Sequence, residues 1–503
     1  MARVSDPDKF PAPVYKDEVL APLFEGVKQH HWRQQMRINR ASAIMLAHVG
    51  VLSRDEAGAI LSALDAIMRE VDISTLTYTG EFEDFFFLVE SELKKRLGPD
   101  LAGKLHTGRS RNDIDHTVFK MALKERLVAL TADLLDAIEA LLDVAEKNKS
   151  TLIVAYTHGQ PAQPSTYGHY LGAMIELMLR DVERVKLAAA TTDLCSMGAA
   201  AITTSGFPLD RGLMAKLLGF SGAQENSYGC IAACDYISSV YSAIRLIFIH
   251  LGRFAQDLNS WTGFEIGHLH APDAYVQISS IMPQKRNPVV VEHLRLMSSI
   301  AAGRADTMIQ TLHNTPFTDM NDSEGEAQVA GYGAFDVGGR ALRLVADFIR
   351  IATINEKRVR QHIEESCVTM TELADSLVRV EGLSFRQAHE VASHLSRRMI
   401  TAGAAPSTVG FDLFKTVFAE IVGRGPSISE ADFRRFLTPE HFVAVRDRFG
   451  GPAEGSLSAS LQRYRDGLSE ARQWRNEFAA RVASIDENLV AAGRALAAAD
   501  IRT

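Results

Sequence analysis

Long stretches of helical periodicity constrain this chain more than any other feature. Leu127, Leu130, Leu134, Ile138 and Leu141 recur at steps of three and four, which puts them on one face of a helix that begins before Lys124 and runs toward Lys147. Comparable runs extend from Thr166 to Thr191, Asp235 to Leu258, Val289 to Leu312 and Val329 to Ala352, with few alternating β-branched segments between them. The pattern predicts an all-α fold. Several runs exceed the usual length of a globular helix, and their apolar stripes are wider than one neighbour covers. The bundle is therefore expected to continue across the subunits of an oligomer.

With 503 residues, 46% of them hydrophobic, the chain can bury a core large enough for two or three packed regions. Breaks bearing Gly and Pro fall at Gly98-Pro99, Thr203 to Pro208, His270 to Pro288, Gly403 to Pro406, Gly423 to Pro426 and Gly450 to Pro452. They predict an N-terminal helical domain over 1–105, a central long-helix domain over 106–358 and a C-terminal helical domain over 359–503. No internal repeat or low-complexity tract is visible, and the alanine-rich tail from Val490 to Asp500 reads as a good helix former.

Lys and Arg number 54 against 62 Asp and Glu, a net charge of −8, which argues against a general polyanion binder; nucleic acid is not an expected partner. An anionic small-molecule substrate must then meet a local positive cluster. Cys195, Cys230, Cys234 and Cys367 show neither CxxC pairing nor metal-ligand spacing, as expected of a reduced, cytoplasmic protein. Met1 to Lys16 lacks the apolar core of a signal peptide. The apolar stretch from Ile237 to Phe254 is interrupted by Arg245, His250 and Arg253, so it reads as a buried bundle helix, and no membrane association is expected. No glycine fingerprint for a dinucleotide follows a strand, and no cofactor or metal is expected.

Three segments are unlike ordinary helix sequence: His106-Thr107-Gly108-Arg109-Ser110-Arg111-Asn112-Asp113, Tyr156-Thr157-His158-Gly159-Gln160, and Ser279-Ser280-Ile281-Met282-Pro283-Gln284-Lys285-Arg286-Asn287-Pro288. The first sets two guanidinium groups among short hydroxyl and amide donors, which is what recognition of planar carboxylates demands. Taken alone it fits equally well a helix start at which Ser110 and Asp113 serve only as caps. The third, taken alone, reads as a surface turn closed by Pro283 and Pro288, and a lone His158 reads as a structural histidine.

Together the segments change that reading. The stretch from Ser279 to Pro283, followed by Lys285, Asn287 and Pro288, resembles the signature loop of the fumarase/aspartase superfamily. His106 to Asp113 is similar to the argininosuccinate lyase branch. So are Asp375-Ser376-Leu377-Val378 with Phe385-Arg386-Gln387-Ala388-His389, and Phe442-Val443-Ala444 with Gly450-Gly451-Pro452, and the resemblance spans nearly the whole chain. It implies a homotetramer with a shared 20-helix core, each active site drawing on three subunits. It also implies a carbon–nitrogen lyase that releases fumarate from an N-substituted aspartate. By the same resemblance Ser279 is the base that removes the Cβ proton, and Lys285 and Asn287 hold the carboxylate that becomes an aci-carboxylate. Arg111, Asn112 and Thr157 grip the succinyl carboxylates with Ser110, Gln160, Ser280 and Met282 beside them, and His158 pairs with Glu292. Physical chemistry agrees with this division: a proton next to a carboxylate is very weakly acidic, so the doubly negative intermediate needs preorganised cations and donors. A serine becomes a base only if its oxyanion is held.

The chain departs from the argininosuccinate lyase pattern in one respect. Phe86 and Leu88 stand where that branch carries His and Asn, Cys234-Asp235-Tyr236 lacks an expected Arg, and Ile278 replaces a Gly. Asp319 to Glu324 replaces a stretch with Tyr and Gln, and Ile114-Asp115 replaces Gln-Val. These changes lie on the amine side of the implied site, so the expected amine is other than arginine and the expected substrate an aminopolycarboxylate or another N-substituted aspartate. An argininosuccinate lyase with a divergent pocket, and a family member kept only as a structural protein, are the alternatives.

Overall fold

Ser110 starts the element that organises the molecule. Its hydroxyl accepts the Asn112 N–H while the Asp113 carboxylate accepts the Ser110 N–H, a reciprocal cap that launches a helix from Arg111 to Lys147. The computed structural model describes residues 10–498. The expectation for Met1 to Lys16 therefore lies partly outside the described residues, as does the end of the Val490 to Asp500 tail.

In chain order the helices needed below are α1 (Ala21–His30), α2 (Trp32–His48), α3 (Arg54–Glu70), α4 (Phe85–Leu97) and α5 (Arg111–Lys147). A hairpin, β1 (Leu152–Thr157) with β2 (Gln160–Thr166), leads into α6 (Tyr167–Thr192), and α7 (Asp235–Thr262) follows. A two-residue ribbon, β3 (Gln277–Ile278) with β4 (Arg286–Asn287), precedes α8 (Val289–Thr311) and α9 (Gly325–Ile351). Beyond lie α10 (Met370–Glu381), α11 (Phe385–Thr401), α12 (Phe411–Val422), α13 (Glu454–Ala483) and α14 (Ile485–Ala498).

All five predicted long helices are present, and α5 to α9 form the central bundle: α5 packs against α6 and α9, α7 against α6 and α8, and α8 against α9. Leu127, Leu134, Ile138 and Leu141 are all buried, each contributing about 1.5–3 kcal/mol of apolar burial. The α7–α9 contact is close because Gly338 has no side chain: a Cβ there would stand 2.3 Å from Cζ of Phe248. Two lysines enter this core already satisfied. Lys120 donates to the Leu194 carbonyl, Ser196 and Gln224, and Lys124 to Asp193 and the Gly219 carbonyl, which ties the 193–224 segment to α5.

The region expected beyond residue 358 contains two packing units. Residues 370–437 bury their own core around Leu377, Leu395, Phe414, Phe418 and Phe433, whereas α13 and α14 return to the central bundle through Leu461, Leu468, Phe478 and Leu489. The hairpin was not foreseen, because β2 (Gln-Pro-Ala-Gln-Pro-Ser-Thr) has no apolar alternation. No helix among the described residues is long and apolar enough to cross a membrane.

Candidate active site

The first motif sits at one end of the bundle. Gly108 adopts φ +70°, and a Cβ there would fall 2.9 Å from Leu209, so only glycine turns the chain into the Ser110 cap. Asp113 is fully buried and also accepts the N–H groups of Gly198 and Ala200, fixing that loop beside the helix start. Burial raises its pKa to about 6 against the pull of these N–H donors. Asn112 donates to the Ala201 carbonyl. Arg111 donates from Nη1 to Glu83 (2.9 Å) and Asp84 (2.8 Å), and Asp84 in turn caps α4 by accepting the Phe87 N–H. Burial works against the guanidinium charge, yet the Asp84 and Glu83 bonds outweigh it and hold the pKa of Arg111 above its ordinary value. Both bonds use one nitrogen, which leaves the Nη2–Nε edge to face a planar carboxylate.

The other two motifs lie at the opposite end. Thr157, His158, Gly159 and Gln160 form the exposed tip of the β1–β2 hairpin, and His158 (φ 53°) and Gly159 (φ 73°) both take the left-handed conformation that a two-residue hairpin turn requires. The Ser279 loop hangs from the β3–β4 ribbon. Within it the Ser279 hydroxyl accepts the backbone N–H of Met282 (3.1 Å) and Ile281 (3.4 Å), Lys285 is exposed, and Asn287 donates to the Gln277 carbonyl. Glu292 is exposed in the first turn of α8, and among the described residues no hydrogen bond or ion pair links it to His158 within one chain. Ser280 and Met282 are exposed on the same loop. Both segments belong to one end because Leu269 pairs with Ile354 and the Tyr156 ring lies 5.9 Å from that of His268, tilted by 48°.

Helix α5 lies between the two ends. Its 37 residues make it about 55 Å long, so Ser110, Arg111 and Asn112 at its start cannot meet Thr157 and His158, which follow its end, within one chain. The structure thus brings the predicted residues into two groups, not one.

Most positions at which the sequence leaves the argininosuccinate lyase pattern gather at the Arg111 end; Ile278, expected on the amine side, instead sits exposed in β3 beside Ser279 at the other end. Phe86, Ile114, Asp115, Asp319 and Glu324 line a cavity of about 480 Å³ together with Arg111 and Asn112. Cys234 and Asp235 line a neighbouring cavity of about 330 Å³, and Met320 borders both. Sequence reading missed Gln35 and His31, which reach the larger cavity from α2 and from the residue before it; nothing local marks them. Burial and the Asp319 carboxylate raise the pKa of Glu324 to about 7 against the pull of Arg111. Burial, Glu324 and Asp84 likewise push Asp115 well above the ordinary carboxylate range.

Known proteins resemble this chain in sequence and fold. A model of the lyase family matches residues 24–303, and a model of the argininosuccinate lyase C-terminal region matches 367–444. Argininosuccinate lyase 2 of Agrobacterium fabrum is 53% identical over 97% of this chain and 98% of its own length. EDDS lyase in complex with formate superposes with a TM-score of 0.84 at 28% identity, covering 96% of both chains. An EDDS lyase variant with bound fumarate superposes equally well, over 99% of both. The chain therefore belongs to the argininosuccinate lyase-like branch of the fumarase/aspartase superfamily and is a fumarate-forming carbon–nitrogen lyase.

Proposed function

We propose that this enzyme eliminates fumarate from ethylenediamine-N,N′-disuccinate, giving N-(2-aminoethyl)aspartate and then ethylenediamine, in sites assembled between copies of the chain. The observation that carries the chemical assignment is the seating of Ser279: two backbone N–H groups already point at its oxygen, which is how a protein holds an alkoxide. Ser279 takes the Cβ proton, and the electron pair passes into the adjacent carboxylate as an aci-carboxylate. Lys285 and Asn287 hold that group. The pair then returns to form the C=C bond as the Cα–N bond breaks and the nitrogen keeps its electrons. His158 serves as proton donor only to an amine that departs unprotonated; for one that leaves protonated it orients the substrate with Thr157 and Gln160. Arg111, Asn112 and Ser110 of another copy grip the succinyl carboxylates, with Ser280 and Met282 on the covering loop, and Glu292 supports His158.

The separation along α5 supports a multi-chain site, and so do apolar side chains left bare on the bundle: Leu187, Ile249, Leu296 and Ile300 are all exposed. A homotetramer covers such faces. The reading predicts release of fumarate, followed by its ultraviolet absorbance, when purified protein meets ethylenediamine-N,N′-disuccinate, and loss of that release in Ser279→Ala. The second reading, argininosuccinate as substrate, is favoured by the 53% identity to a protein named argininosuccinate lyase 2. Rapid turnover of argininosuccinate alone would replace the first reading with the second.

A further inference from the structure

The large cavity beside Arg111 has a charge balance that the elimination itself does not use. Glu83 and Asp84 are matched by Arg111. Asp115, Asp319 and Glu324 have no Lys or Arg partner among the described residues, and His116 stands 3.7 Å from Asp319, too far for a hydrogen bond. Two further polar groups are unsatisfied, one lining the cavity and one buried beside Asp319. Gln35, 6% exposed, lines the cavity with no partner for its Oε1, and the fully buried His116 has none for Nε2. Buried polar atoms without partners are costly, so such a cluster marks a place that a ligand completes.

Resting on the lyase reading above, we propose that Asp115, Asp319 and Glu324, with the Gln35 amide, form a subsite for a second, protonated nitrogen of the leaving amine. The favoured substrate is then an aspartate whose nitrogen carries a diamine with no carboxylate at its far end. Geometry sets the match. Asn112 and Asp115 share one face of α5 and stand about 5 Å apart along its axis, the reach of a short aliphatic spacer. Phe86, Ile114 and Phe119 supply apolar wall for the methylene groups. An ammonium beside the three carboxylates gains charge-assisted hydrogen bonds, whereas a distal carboxylate there meets like charge. The raised pKa values of Asp115 and Glu324 accord with acids placed to meet a cation. Of the two successive eliminations from the disuccinate, the second therefore fits this cavity better than the first.

The test runs the reaction backwards with the full-length enzyme, following loss of fumarate absorbance as the amine nitrogen bonds to one alkene carbon and a proton goes to the other. The amines are ethylenediamine, ethylamine and N-(2-aminoethyl)aspartate. The expected kcat/KM for ethylenediamine exceeds both others by about 10- to 100-fold. Asp319→Asn and Glu324→Gln, each nearly isosteric, bring that ratio down toward one. Fumarate consumed with no preference in the wild-type enzyme, or a preference unchanged in both variants, overturns the subsite while leaving the lyase reading intact. Fumarate consumed with none of the three amines overturns the subsite and, with it, the ethylenediamine-N,N′-disuccinate reading.

Discussion

Mixing two inactive variants tests the assembly of the site most directly. Arg111→Ala removes the guanidinium at the start of α5, and Ser279→Ala removes the hydroxyl of the loop at the other end of the bundle. Each homogeneous variant is expected to be nearly inactive. On the proposed assignment both groups serve one substrate, and because α5 alone is about 55 Å long they would then come from different chains. In oligomers formed by co-expression or co-refolding at equal amounts, a site receives an intact Arg111 in half of cases and, independently, an intact Ser279 in half. About a quarter of wild-type activity should return. If one chain supplied both groups, every site in the mixture would lack one of them and no activity would appear. The assay is fumarate release by oligomers carrying two different affinity tags, so that only mixed species are measured. A mixture no more active than its parents would refute the two-ended reading of the site.

Three further outcomes follow from particular contacts. Gly108→Ala places a Cβ at φ +70° against Leu209 and should cost about 1–3 kcal/mol, read as a lower denaturant midpoint; an unchanged midpoint would remove the strain from the argument. His158→Gly suits the φ of 53° at the hairpin tip, so melting should hold while turnover falls, and retained turnover would take His158 out of the site. Glu324 has a folded pKa of about 7 against 4.5 for an unhindered glutamate, so the folded chain holds its proton more tightly than the unfolded chain. That stabilising contribution is complete below about pH 4.5 and is lost as pH rises to about 7, so the melting temperature of Glu324→Gln should gain on wild type across that window. A difference that stays flat with pH would contradict it.

What the sequence discloses and what it hides divide along the range of the interactions. The apolar rows of α5 to α9 are local, and each helix ends within a few residues of where its periodicity stops. Lys120 and Lys124 break the apolar pattern and are nonetheless buried, because carbonyls and side chains from residues 193–224 satisfy them; nothing within a helical turn announces this. The same holds at the site. The composition of three short segments marks them as chemical, yet their placement at two ends depends on the length of the helix between them. The sequence registers Phe86, Asp115, Asp319 and Glu324 as separate departures from a pattern. Only folding brings α4, α5 and the start of α9 around one cavity, where the substitutions become a single electrostatic change. That change leaves Ser279, Lys285 and Asn287 untouched at the far end of the bundle. On the proposed assignment, a chain of this design can therefore alter its amine at one end while the loop proposed to abstract the proton, from another copy, keeps its chemistry.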